Sequence, residues 1–140
     1  MTTYESDIKT ISSNEEVVFN KLSDLNNIKE LQNKSTETDK MKDLTYDTDS
    51  CSFSVEGIGK IGFRIVDREP FKTIKLNSEN APVQLNVWVQ LKKIDEDNTA
   101  MKLTLKADLP MMIKMMVDKK LKEGINKVAD MLVKGLTPNP

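Results

Sequence analysis

From Val83 to Leu91, and again from Met101 to Ala107, apolar and polar side chains alternate. Leu85, Val87, Val89 and Leu91 fall on one phase, with Gln84, Asn86, Gln90 and Lys92 on the other. After the polar stretch Asp95-Glu96-Asp97-Asn98, Met101, Leu103, Leu105 and Ala107 oppose Lys102, Thr104, Lys106 and Asp108. A period of two marks strands with one buried and one wet face. From Pro110 onward the period lengthens: Ile113, Val117, Leu121, Ile125, Val128 and Leu132 recur at helical spacing. That predicts a helix of roughly 25 residues whose apolar stripe lies across the sheet. Gly124 borders the stripe, where a missing side chain permits close approach to the sheet.

Upstream, Tyr4 to Ile11 reads as a first strand, with Ile8 and Thr10 supplying β preference. Ser13 followed by Glu16 forms a capping box for a helix whose buried face is Val17, Val18, Phe19 and Leu22. That helix ends near Asp24, and Leu25, Ile28 and Leu31 continue the spacing past Asn26-Asn27 as a second short helix. Asn33 to Lys42 is polar and reads as a loop. Four strands follow: Leu44 to Asp47, Cys51 to Val55, about Ile58 to Glu69, and Phe71 to Ser78. Asp47-Thr48-Asp49-Ser50, Glu56-Gly57 and Glu69-Pro70 separate them, because Asp, Ser and Gly favour turns and Pro removes a ladder donor.

Composition narrows the class. A chain of 140 residues fits a single domain, residues 1–140 with an ordered core from about 4 to 136, able to bury a core without metals or disulfides. At 38% hydrophobic and 31% charged it resembles ordinary soluble protein, and no apolar run approaches the ~18 residues that cross a bilayer, so no transmembrane segment is expected. Met1 to Asp7 lacks the basic start and apolar core of a signal peptide, and one cysteine cannot form an internal disulfide; the expectation is a cytoplasmic protein. The net charge of −1 gives no reason to expect nucleic acid as a partner. The sign is uneven, however. The first 50 residues hold eleven acids against six lysines, and the final helix holds Lys114, Lys119, Lys120, Lys122, Lys127 and Lys134 against Asp118, Glu123 and Asp130.

One strand, two short helices, a run of antiparallel strands and one long C-terminal helix make an α+β helix-grip order: a curved antiparallel sheet wrapped around the last helix. With Ser13-Asn14-Glu15-Glu16-Val17-Val18-Phe19, Arg68-Glu69-Pro70-Phe71-Lys72-Thr73-Ile74 and Asn98-Thr99-Ala100-Met101-Lys102-Leu103 in their places, the chain resembles the START-like (SRPBCC) superfamily of polyketide cyclases and lipid-transfer domains. The resemblance covers about Tyr4 to Leu136. It implies a cavity between sheet and long helix, and carries no catalytic motif. Members bind lipids, hormones and polyketides, some catalyse cyclisation, and some serve as interaction modules.

No catalytic residue, metal site or cofactor is expected. The absence of histidine removes the usual general base near neutral pH and the commonest nitrogen ligand for zinc. Asp47/Asp49 and Asp95/Asp97 lie in predicted turns, where water keeps them ionised. Cys51 shares a phase with Phe53 and Val55 and reads as a buried, inert thiol. Gly57, Gly59 and Gly62 imitate a phosphate-binding fingerprint but fall between two strands, without the helix that would hold a phosphate. Arg64 and Arg68 share the phase opposite Phe63 and Ile65 unless a bulge reverses it.

Phe53, Phe63, Leu85, Val87, Met101, Leu103, Met111 and Met115 are the candidate wall for a small apolar or amphipathic ligand, although a solid core would demand the same residues. Trp88, on the polar phase of its strand, is either covered from within the chain or marks a contact. Met112 and Met116 lie opposite the helix stripe and are interface candidates, with packing against the short helices as the plainer reading. The function expected is non-catalytic binding in the sheet–helix cavity. The alternatives are an interaction module or homodimer with a filled core, and a cyclase- or hydratase-like enzyme; monomer and homodimer are both open.

Overall fold

The computed structural model describes residues 1–28, 41–55, 59–81 and 83–136. In chain order the elements are β1 (Thr2–Glu5), β2 (Lys9–Ile11), α1 (Glu15–Leu22), β3 (Met41–Tyr46), β4 (Ser50–Val55), β5 (Gly59–Glu69), β6 (Thr73–Glu79), β7 (Leu85–Asp95), β8 (Asn98–Ala107) and α2 (Met111–Leu136). They form one antiparallel sheet, ordered β1-β8-β7-β6-β5-β4-β3, with β2 also on β8. The sheet curves around α2, the expected α+β helix-grip arrangement. After α1 comes a single 3-10 turn, Leu25–Asn27. The remainder of the second short helix, from residue 29, and most of the Asn33 to Lys42 loop lie outside the described residues; β3 starts at Met41, inside that expected loop.

Tyr4 to Ile11 is two strands rather than one. Glu5 faces Thr104 and Lys9 faces Met101, so the first strand spends one residue more than its partner over this interval, which is a bulge. Ser6 repairs the ladder. Its N–H donates to Leu103 O at 2.9 Å, and its hydroxyl accepts from Leu103 N at 2.9 Å, replacing a main-chain carbonyl. Residues seven apart would face opposite ways on a regular strand. The bulge lets Tyr4 and Ile11 both enter the core, and leaves Ile8 71% exposed.

A second bulge lies at Val66, where Ile65 pairs with Leu76 but Asp67 pairs with Lys75. Beyond it Arg68 pairs with Ile74, on the inner phase, while Arg64 stays on the outer phase and bonds Glu79 at 2.6 Å. Arg68 joins α1 to the β3–β4 turn: Nε donates to Ser23 O at 3.0 Å and Nη2 to Asp49 Oδ1 at 2.6 Å.

The cap of α1 is Asn14, not Ser13. Asn14 Oδ1 accepts from Val17 N at 2.9 Å. Ser13 is held by the sheet, with its N–H on Ile11 O and its carbonyl accepting from Thr99 Oγ1, so the helix starts one residue later. Val18, Phe19 and Leu22 are buried as expected, but Val17 points outward.

The last helix divides in two. Ile125, Ala129, Met131, Leu132 and Leu136 are buried, whereas Val128, expected on the stripe, is 42% exposed. Gly124 is not a point of close approach, because a Cβ there would meet nothing within 4 Å. Ala129, fully buried, is the small residue beneath the core. A polar flank fastens α2 to the first two strands: Tyr4 Oη donates to Asp118 Oδ1 at 2.6 Å, the Asp7 N–H to Asn126 Oδ1 at 2.9 Å, and Lys9 Nζ pairs with Asp130 at 3.0 Å. The bulge after β1 frees the Asp7 amide for this bond.

Candidate ligand-binding face

Cross-strand pairing runs Ile65, Leu76, Val87, Leu105 and Tyr4 in a row across five strands of the inner face. Burial along this row is uneven. Tyr4 is 4% exposed and Leu105 9%, because α2 lies over β1, β2 and β8. Val87 and Leu76 are only half-buried, as are Phe63 and Val83, which pack against the same core. Phe63 is a cross-strand partner of Cys51 and stacks on Phe53 with ring centroids 6.2 Å apart at 26°. The inner face is therefore sealed under α2, and toward β4 it keeps a half-buried apolar patch, termed the trough, of Val87, Leu76, Phe63 and Phe53, set among the buried Ile65, Ile61 and Cys51.

The candidate wall residues fall into three groups. Leu85, Met101 and Leu103 belong to the sealed core. Phe53, Phe63 and Val87 lie in the trough. Met111 and Met115, on the first turns of α2, are 78% and 80% exposed. Leu76 and Tyr46 also belong to the trough side; Tyr46 pairs with Cys51 and is 37% exposed. Leu76 was legible in the Ile74/Leu76 alternation.

Trp88 is on the outer face, as its phase predicts. Lys75 and Lys106 flank the ring, their Nζ atoms 5.3 and 5.4 Å from its centroid, so cations rather than a loop or the first strand form its cover. Asn77 and Asn86 bond to one another beside it, and Thr104 to Gln90. Met112 and Met116 are 81% and 76% exposed.

The electrostatics describe anchors and turns. Burial, and then the Asp118 carboxylate, push the Tyr4 hydroxyl up to about 12. It stays protonated and committed as a donor, which suits a strut and not a general base. The same bond holds Asp118 below the usual carboxylate range. Burial, with Asp47 nearby, raises the Cys51 thiol to about 11, so the nucleophilic thiolate is scarce at neutral pH. Asp47 accepts from the N–H of Asp49 and of Ser50, and Asp95 from that of Asp97; both carboxyls are lowered by these turn bonds. Among the described residues no three Cys, Asp or Glu side chains converge on a metal-sized site.

Two surface concavities are present among the described residues, and the first reaches Tyr46 and Cys51 on the trough side. One, of about 480 Å³, is bordered by Thr45, Ser52, Lys60, Gly62 and Glu79; the other, of about 440 Å³, lies between the start of α1 and the β7–β8 turn. Both are predominantly polar, and no candidate wall residue lines either. Among the described residues no helix is long and apolar enough to cross a membrane.

No family model and no curated protein matches the sequence. Solved structures do match the fold. A protein of Thermus thermophilus superposes with a TM-score of 0.71 at 12% identity, over 96% of this chain and 97% of that one. Norcoclaurine synthase from Thalictrum flavum, solved in complex with dopamine and hydroxybenzaldehyde, gives 0.71 at 12% identity, over 95% and 84%. A START superfamily protein from Mycobacterium smegmatis gives 0.62 at 13% identity, over 96% of both chains. The chain has a START-like helix-grip fold. At these identities the likeness speaks for the fold alone, and function has to come from the residues of this chain.

Proposed function

We propose that the protein binds a small apolar or amphipathic molecule along the inner-face trough, without chemistry. The observation that carries this reading is the half-buried patch Val87, Leu76, Phe63 and Phe53, aromatic and aliphatic surface on the same face as a sealed core but beside α2 rather than under it. Burying such surface yields ~25 cal/mol per Å² removed from water, enough for a ligand of modest size. The fold supports the reading, since norcoclaurine synthase holds two small aromatic molecules on the same architecture. Phe53, Phe63 and Val87 are the contact residues; Leu85, Met101 and Leu103 are the support behind them; Met111 and Met115 border the approach.

Non-catalytic binding is favoured over an enzyme because the one strongly perturbed tyrosine, Tyr4, is already bonded to Asp118. Native mass spectrometry of the protein as purified, followed by denaturing analysis of what is released, tests the reading. A stoichiometric apolar adduct that Phe63→Asp abolishes is the expected result. Bare protein that also refuses fatty acids and small aromatics would contradict it.

A further inference from the structure

The first two turns of α2 carry the most exposed apolar surface of the helix. Met111, Met112, Met115 and Met116 are 76–81% exposed and Ile113 38%. At 3.6 residues per turn these five side chains spread over roughly 200° of the helix circumference. A flat protein partner buries one side of a helix, so it would leave part of this tip wet; a fluid apolar medium that admits the tip covers all of it. The stretch 29–40 has one large apolar residue in its sequence, Leu31, too little apolar surface to match five such side chains.

Basic side chains outnumber acidic ones around the tip, where the exposed acid Asp108 precedes Met111 by three residues. Residues 111–117 include Lys114 and no acid, and Lys119 and Lys120 stand exposed on the next turn. Asp118 is engaged by Tyr4 and by Lys122 at 3.2 Å. Met1, 69% exposed, precedes Thr2, which pairs with Ala107 at this same end of the sheet. The opposite end has an excess of acid: Glu15 and Glu16 at the start of α1 lie beside Asp95, Glu96 and Asp97 of the β7–β8 turn, with Lys93 as the cation among them. Among the described residues the tip is thus the apolar end with an excess of lysine, and the opposite end is polar with an excess of acid.

From this the geometry points to a docking function: the α2 tip inserts its methionines into the surface of an anionic lipid bilayer while Lys114, Lys119 and Lys120 meet the headgroup phosphates, and the acid-rich end faces away. Flexible thioether side chains suit a disordered acyl boundary, and each lysine near an anionic surface adds to the attraction. Docking of this kind is independent of whether the trough holds a ligand, so the vesicle result and the native mass spectrum can fail separately.

The full chain is sedimented with vesicles of mixed phosphatidylcholine and phosphatidylglycerol, and with phosphatidylcholine alone. The expected result is binding to the anionic vesicles that weakens as salt rises. Lys119→Glu with Lys120→Glu should reduce the partition coefficient by about ten-fold or more, and Met112→Glu with Met116→Glu should lower it at least as far. All four positions are exposed, and circular dichroism verifies that each variant is folded; the two pairs are separate tests, so one misfolded variant does not remove the other. Equal partition into neutral and anionic vesicles, no binding to either, or binding that survives both pairs overturns the proposal. A concentration-dependent dimer that Met112→Glu with Met116→Glu dissociates, with no vesicle binding, overturns it in favour of self-association.

Discussion

The two halves of α2 have similar apolar content and opposite fates. From Ile125 to Leu136 the helix seats Ile125, Ala129, Leu132 and Leu136 in the core; from Met111 to Met116 four methionines and an isoleucine stand in solvent. Hydropathy does not separate these segments. What separates them is what lies beneath: the helix rests on β1, β2 and β8, and the side chains of its second half reach the core there while those of its first two turns do not. Tyr4, bonded to Asp118 at 2.6 Å, marks the boundary. Burial belongs to the place where an element lies, and an apolar stripe on a helix is only permission for it.

Substitutions should reproduce this division. Leu132→Ala removes side-chain volume from a packed site and should cost about 2–4 kcal/mol, read as a lowered denaturation midpoint with unchanged slope. Equal stability of Leu132→Ala and wild type would erase the contrast between the halves.

At the boundary, Tyr4→Phe removes a buried hydroxyl that is well bonded, at a cost of about 1–2 kcal/mol. The pH dependence has a definite sign. An unfolded tyrosine titrates near 10 and Tyr4 near 12, so the folded state holds its proton more tightly. The stabilisation is complete below pH 10 and disappears as pH rises from 10 to 12. Wild type should lose stability over that window faster than Tyr4→Phe, and parallel curves would show that the hydroxyl is no strut.

The smallest effect belongs to the tip. Met112→Ala and Met116→Ala should each change stability by less than about 0.5 kcal/mol, since neither side chain is buried. A cost above about 1 kcal/mol, read in the same denaturation experiment, would show that a neighbour covers them after all.

Much of this fold was legible in local pattern. The alternation of β7 and β8 places Leu85, Val89, Leu103 and Leu105 inside and Trp88 outside, as observed, because register along a paired hairpin obeys the period of two. The helical stripe likewise places Ile125 and Leu132. The features that escaped depend on partners distant in sequence. The bulge at Ser6 exists because Leu103 offers both main-chain groups to one serine; nothing from Tyr4 to Ile11 announces it. The bulge at Val66 turns Arg68 inward to Asp49 and Ser23 and leaves Arg64 outward, though the two arginines share a phase by simple counting. Asn14 and Ser13 are both acceptable caps, and a bond from Thr99 to the Ser13 carbonyl accompanies the choice. The candidate wall shows the same limit: its members are all apolar, and spacing alone did not distinguish Met101, buried in the core, from Phe63 in the trough or Met115 in solvent.

The trough beside α2 is the surface proposed to accept an apolar molecule. Trp88 lies on the opposite face of the same strand as Val87, which provides an internal control. Methyl and indole NMR during titration with dodecanoic acid tests the claim most directly. The account predicts saturable shifts of the Leu76 and Val87 methyls with the Trp88 indole unmoved; shifts at Trp88 alone, or none at Leu76 and Val87, would contradict it.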